Sequence, residues 1–233
     1  MTREIVLDTE TTGFDPTTGD RVVEIGALEL INHVPTGKTY HQYINPERGM
    51  PESAFRVHGL STEFLSDKPV FADIAEAFLD FAGDAKFVIH NAEFDMKFLN
   101  WEFGQLGHAA FAPDRAVDTL LIARRKYPGA PASLDALCKR FNIDNGARTL
   151  HGALLDSELL AEVYLELIGG RQPGMAFDLG DGADGGGLKR KPAKPRPAPL
   201  ASLITQEEHA AHDALIEAMA KADPVWNWTA PGE

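Results

Sequence analysis

An α/β fold is predicted by three features of the chain. Runs rich in Val, Ile and Leu near the amino terminus, separated by short turns, read as a meander of strands. A short apolar run, Phe87-Val88-Ile89, leads directly into a helix-forming segment, as a strand does in an α/β unit. Phe71, Ile74, Ala75, Phe78, Leu79 and Ala82 then repeat at the spacing of one helix face, and helices are also read from Ser133 to Phe141 and from His151 to about Ile168.

The first strand, Ile5 to Glu10, ends in Asp8-Thr9-Glu10-Thr11-Thr12-Gly13. A strand period of two puts Asp8 and Glu10 on one face and Leu7 and Thr9 on the other. Two carboxylates at one strand end suit a hard divalent cation, which offsets their mutual repulsion. The triplet alone is weak, since an Asp-x-Glu is expected about once by chance in a chain of this composition. Asp156-Ser157-Glu158 repeats the spacing inside a helix, where residues two apart do not face each other. A solvated turn is the plain alternative for Asp8 and Glu10.

Asp15 to Asp20 reads as a turn, Arg21 to Leu30 as a second strand, and Pro35-Thr36-Gly37 as the turn into a third strand ending near Asn45. Glu24 reads as a strand-face charge with a local partner. Asn45 to Leu60 reads as loop, punctuated by Pro46, Gly49, Pro51 and Gly59, with Ser61 as a helix cap. Asn91 and Asp95 stand four apart and should share the first turn of a helix at the carboxyl end of the Phe87 strand, where α/β sheets place their sites. Asp95 reads equally well as an acid stabilising that helix end. Arg115 to Asp118 could be a last strand, with Asp118 capping the next helix, and Ser133 caps another. His151 lies at the mouth of the late helix with Asp156 one turn inside, which makes it a candidate base.

The 233 residues are 44% hydrophobic, enough for a substantial core, and the single cysteine, Cys138, fits a buried core thiol in a reducing cytoplasm. No signal peptide or membrane span is read from the sequence. A formal charge of −13 argues against binding nucleic acid by a broad basic surface, so such chemistry would need metal ions or a partner to deliver the strand. Composition breaks after Gly170: a Gly/Asp-rich stretch and then a Lys/Arg/Pro/Ala stretch form a linker. The linker cations Lys189, Arg190, Lys191, Lys194 and Arg196 read as solvating charges. A last module has Thr205 and Glu208 as a capping box and ends with Trp226 and Trp228, too many tryptophans for so small a segment to bury alone. His209 and His212 read as exposed.

The segments LDTETTG, HNAEFDMKFL and LHGALLDSELLAEVYL resemble the three motifs of the Asp-Glu-Asp-Asp exonucleases in their histidine-bearing branch. VVEIGALEL, VHGL, SLDALC and the IDN to RTLHGALLD stretch extend the resemblance to the family of epsilon proofreading subunits of bacterial DNA polymerase III. The resemblance implies a ribonuclease H-like mixed sheet of five strands flanked by helices, with a flexible linker and a small carboxyl-terminal helical segment. It implies a 3′–5′ exonuclease domain over 1–171, a clamp-binding peptide and linker over 172–200, and a polymerase-binding segment over 201–233. Asp8, Glu10 and Asp156 would hold two Mg²⁺ or Mn²⁺ ions, with Asp95 completing the cluster, and His151 would be the general base. Thr11, Thr12, Gly13 and His58 would contact the terminal nucleotide, with Ser53 a further contact.

The implied partners are the polymerase alpha subunit through Trp226 and Trp228, the sliding clamp through Gln172, Met175 and Phe177, a single-stranded or frayed 3′ DNA end, and a small theta-type subunit. Two other readings stand beside this one. A 3′–5′ exoribonuclease or general single-strand nuclease shares the acids and the histidine but has no use for the clamp-like peptide and tryptophan tail. A non-catalytic replisome scaffold would be expected to lose an acid or the histidine.

Overall fold

The computed structural model describes residues 2–146, 150–169 and 205–220. The chain divides into two compact units, residues 1–177 and 178–233. The expected clamp-binding residues Gln172, Met175 and Phe177, the linker, and Trp226 and Trp228 lie outside the described residues.

In the first unit, strand β1 (Arg3–Thr11) runs through the middle of a five-stranded sheet. On one side it pairs antiparallel with β2 (Val22–Ile31), which pairs antiparallel with the edge strand β3 (Val34–Tyr43). On the other it pairs parallel with β4 (Lys86–Ile89), which pairs parallel with β5 (Ala116–Asp118). The order β3-β2-β1-β4-β5 is the mixed sheet expected. With both faces of its centre covered, β1 is a nearly continuous apolar run until its two acids.

Alternation along β1 separates the two layers. Ile5 and Leu7 enter a core with Phe71 and Phe78 of α3 (Phe71–Ala82) and Phe98 and Phe103 of α4 (Ala92–Gln105). Val6 faces the other way, toward Leu160, Ala161 and Tyr164 of α7 (Ala153–Ile168). On that side α5 (Thr119–Lys126) and α6 (Leu134–Phe141) close a third cluster, which buries Cys138 as expected.

Two local expectations are corrected. The turn between β2 and β3 is Asn32-His33, not Pro35-Thr36-Gly37; both residues have positive φ, 50° and 66°, the backbone that suits a two-residue hairpin between twisted strands. Pro35 instead lies within β3 at the sheet edge, beside a register shift in β2, where its missing N–H is tolerated. The stretch read as loop from Asn45 to Leu60 contains a short helix, α1 (Glu52–His58), entered from the extended Pro51 and ended by the left-handed Gly59, φ 74°. Its proline and glycine are the ends of a helix rather than the punctuation of a loop. After it comes α2 (Thr62–Leu65), with Ser61 Oγ accepting from the Phe64 N–H at 3.1 Å as the expected cap.

The packing of α7 depends on one glycine. Gly26 on β2 lies opposite Asp8 on β1, and a Cβ at Gly26 would come within 2.1 Å of the Ala153 carbonyl carbon and the Leu154 nitrogen. The start of α7 therefore occupies the space of a side chain. Ser157 Oγ fixes it there by donating to the Gly26 carbonyl at 2.8 Å.

In the second unit, α8 (Gln206–Ala220) begins with the expected capping box: the Glu208 N–H donates to Thr205 Oγ1 at 3.2 Å and Glu208 Oε2 accepts from the Thr205 N–H at 2.8 Å. His209 and His212 are exposed. Among the described residues, no helix is long and apolar enough to cross a membrane.

Gly26→Ala should lower stability by about 3 kcal/mol, the scale of a severe overpacking, because the obstructing atoms are backbone. Urea unfolding measures this, and a loss under about 1 kcal/mol would show that α7 can stand off from the sheet.

Candidate active site

At the carboxyl end of β1, strand alternation sends Asp8 and Glu10 toward the α7 layer, as expected. Asp156 lies in the first turn of α7 and is buried, while His151, two residues before the helix begins, is half-exposed. His151 Nδ1 stands 3.4 Å from Asp156 Oδ2. Glu10, His151 and Asp156 each offer a ligand atom, all within 4.8 Å of one another. Asp8 lines, with His151 and Asp156, an open groove of about 660 Å³ whose lining also includes His90, Asn91, Arg124, Ser133 and Asp135. Three carboxylates and one imidazole form a donor set suited to a hard divalent cation.

The neighbouring acids of the sheet and of α4 have other partners. Glu4 accepts from the Tyr164 hydroxyl at 2.8 Å and meets His33 at 2.7 Å. Glu24 meets His41 at 2.7 Å, the local partner expected, and Glu29 accepts from Arg3 at 2.6 Å. Glu102 of α4 takes a two-pronged contact from Arg21, at 2.8 and 3.0 Å.

Asp95 occupies the opposite layer from this cluster. Its Oδ1 accepts from the Thr9 N–H at 3.1 Å and the Thr9 hydroxyl at 2.7 Å, and Thr9 is the residue between Asp8 and Glu10 that faces away from them. Burial pushes the Asp95 carboxyl up to about 7, against the pull of the Thr9 hydrogen bonds and with added repulsion from Asp118. Asn91 does not share a helical face with it, which corrects the expected pairing: Asn91 precedes α4 in a left-handed conformation, φ 69°, and lines the groove instead. Asp118 caps α5 as expected, accepting from the Leu120 N–H at 2.8 Å, and also receives the N–H groups of Asn91 at 3.3 Å and Ala92 at 3.2 Å. One carboxylate thus holds the starts of two helices at the strand ends.

The loop after β1 is tightly held. Thr11 Oγ1 donates to the Gly13 carbonyl at 2.6 Å, and the Thr12 N–H donates to the Arg21 carbonyl at 2.9 Å. Asp20, itself bound by Arg48 at 2.8 Å, lies so close that a Cβ on Gly13 would be 2.3 Å from its Oδ2. His58 closes α1 and is buried; its Nδ1 accepts from the Leu60 N–H at 3.1 Å. Burial lowers the His58 pKa and the nearby His151 lowers it further, while the Thr11 carbonyl opposes them. The His151 N–H donates to the Val57 carbonyl at 3.1 Å, which ties α1 to the segment before α7. Ser53 is exposed in the first turn of α1 and does not line the groove.

Sequence reasoning passed over His90 and Arg124 of the groove, and Phe14. Phe14 is 83% exposed beside the Thr11 to Gly13 loop, with its ring edge-on to Phe94 at 6.5 Å between centroids. An aromatic directly after Thr-Thr-Gly was the available signal for Phe14, and a place directly after β4 was one for His90; Arg124 offered none, since only the packing of α5 brings it to the groove.

A family model described as exonuclease matches residues 5–164. The DNA polymerase III subunit epsilon of Rickettsia felis is 58% identical over 182 residues, covering 77% of this chain and 79% of that protein. Its counterpart from Escherichia coli strain K12 is 43% identical over 240 residues, covering 99% of this chain and 98% of that one. The chain belongs to the exonuclease family, among the epsilon subunits of bacterial DNA polymerase III. The family fold recurs in solved structures. Exonuclease X in complex with 5′ overhanging duplex DNA is 24% identical with a TM-score of 0.55, over 71% of this chain and 90% of that one. The nuclease domain of a DEDDh-family 3′ exonuclease bound to rAMP is 18% identical with a TM-score of 0.60, over 71% of this chain and 91% of that one.

The raised Asp95 pKa fixes the sign of a pH effect in this exonuclease. Its carboxyl titrates near 3.8 when unfolded and near 7 when folded, so between these values the native state holds a proton that the unfolded state has lost. Stability is lost as pH rises through that window and the penalty is complete above it. In chelator, the urea midpoint of Asp95→Asn should rise relative to the parent from pH 4 to pH 8; a constant difference would refute the burial argument.

Proposed function

We propose that the chain is the proofreading subunit of a replicative DNA polymerase and removes mispaired 3′-terminal nucleotides by hydrolysis. The observation that carries this reading is the meeting of Glu10, His151 and Asp156 within 4.8 Å in an exonuclease-family fold, with Asp8 on the same groove. Asp8, Glu10 and Asp156 would hold two divalent cations, Mg²⁺ or Mn²⁺, with Asp95 acting from behind through Thr9. Bound there, the ions stabilise the charge that develops on the attacking and leaving oxygens of a phosphodiester.

His151, half-exposed beside buried Asp156, is placed to take a proton from the attacking water. The new P–O bond forms to that water oxygen and the bond to the 3′ oxygen of the preceding nucleotide breaks. The products are a 5′-nucleoside monophosphate and a chain with a new 3′ hydroxyl. The backbone from Thr11 to Gly13 and His58 form a wall for the terminal nucleotide, and Phe14 offers a ring on which a base can stack.

Delivery of the strand falls to partners. A net charge of −13 gives the chain little affinity of its own for DNA, and tethering beside the polymerase supplies a frayed 3′ end at high effective concentration. Trp226 and Trp228 would anchor the polymerase alpha subunit, Gln172, Met175 and Phe177 the sliding clamp, and a theta-type subunit is a further candidate partner. The site belongs to the cytoplasm, where replication takes place.

Asp156→Asn should abolish Mn²⁺-dependent release of 5′-mononucleotides from a single-stranded 3′ end. His151→Ala should lose 10²- to 10⁴-fold in kcat, roughly the range for a general base, with Mn²⁺ affinity retained by calorimetry. Full activity in Asp156→Asn would sink the metal-site reading, and loss of Mn²⁺ affinity in His151→Ala would make the imidazole a ligand instead. Truncation at Pro192 should leave the nuclease intact and lose co-purification with the polymerase subunit; retained co-purification would place the anchor elsewhere.

A further inference from the structure

The groove beside the acidic cluster is larger than a cation site needs, and its lining is not acidic throughout. Asp8, Asp135, His151 and Asp156 line it together with Arg124 of α5, the one arginine or lysine among its described lining residues. Leu120 and Arg124 are four apart and both line it, so one face of α5 is turned into the groove. The neighbouring cation on the helix is used otherwise: Lys126 Nζ donates to the Glu166 and Leu167 carbonyls at 3.2 and 3.0 Å. Arg124 is exposed and forms no hydrogen bond or ion pair among the described residues. It does act electrostatically on half-buried His90, whose pKa is lowered first by loss of solvent and also by the Arg124 charge.

A cation lining the same groove as Asp8, Asp135 and Asp156, on a chain of net charge −13, is a specific placement. We propose that Arg124 is a phosphate-binding residue for the substrate strand, holding a phosphodiester on the 5′ side of the scissile bond while the terminal nucleotide occupies the acidic end. This rests on the nuclease reading above and deepens it. A strand fed 3′ end first must leave the acidic end along the groove, where its phosphates meet the Arg124 side. The planar guanidinium suits two phosphate oxygens at once and reads no base, as removal of any mispaired nucleotide requires. Arg124 thereby selects for a polynucleotide over a mononucleotide ester.

The test compares two substrates of the full chain at fixed Mn²⁺: a single-stranded oligonucleotide and a nucleoside 5′-aryl phosphate, which has no upstream phosphodiester. Arg124→Gln should lower the ratio of kcat/KM for the oligonucleotide to that for the ester by about tenfold, the scale of one charge-assisted contact. The slope of log kcat/KM against log salt for the oligonucleotide should flatten by about 0.7, one phosphate contact on a single strand. Arg124→Lys should restore part of the ratio, and Arg125→Gln, on the same helix but outside the groove lining, should leave it unchanged. An unchanged ratio in Arg124→Gln would overturn the proposal, whether because Arg124 holds the terminal nucleotide's own phosphate, which depresses both substrates alike, or because it only complements the end of its helix. A parent chain that cleaves neither substrate would overturn the nuclease reading and this one with it; a parent that cleaves both beside an unaltered variant overturns the subsite alone.

Discussion

The close approach of α7 to Gly26 is the contact on which the arrangement of acids depends. Helix and sheet ordinarily meet through side chains; here backbone lies where a Cβ would stand, within 2.1 Å, and Ser157 holds the helix to the Gly26 carbonyl. Gly26 is the register partner of Asp8, so the first turn of α7 descends onto the end of β1 rather than beside it. Asp156 and His151 thereby reach acids that are nearly 150 residues earlier in sequence. A larger residue at that position would lift the helix and open the cluster, with the strands and helices otherwise unchanged.

Around this contact the buried charges are sorted by their partners. Glu4, Glu24, Glu29 and Glu102 lie in the same sheet or against it, and each meets an arginine, a histidine or a tyrosine hydroxyl. A buried carboxylate held in this way is structural. Asp118 is structural by another route, since its four N–H contacts fix the starts of α4 and α5. Asp95 differs from both groups. Its partner Thr9 supplies hydrogen bonds but no positive charge, and burial, with repulsion from Asp118, keeps its carboxyl prone to hold a proton. A cation bound on the far side of β1 would favour the charged form, and would then couple metal binding to proton release through one strand.

Part of this was legible in the sequence because its cause is local. The face shared by Asp8 and Glu10 follows from strand period, the caps at Ser61, Asp118 and Ser133 from the residues at helix starts, and the burial of Cys138 from helical spacing. The hairpin at Asn32-His33 and the helix α1 were misplaced for a local reason too: proline and glycine mark element ends as readily as loops, and only backbone φ tells them apart. The motif resemblance links Asp8, Glu10, Asp95, His151 and Asp156, distant residues that periodicity cannot connect.

What the sequence determined, then, was which residues carry charge and which face of their own element each one takes, since a few neighbours along the chain suffice for that. The tertiary structure alone decided how those faces meet. It tied the Asp95 carboxyl to Thr9, left Ser53 outside the groove, and turned Phe14 outward next to the Thr11 to Gly13 loop. It also brought Arg124 into the same groove as Asp156, because the register of β1 on β2, the notch at Gly26 and the packing of α5 against α7 act between segments that no local pattern connects.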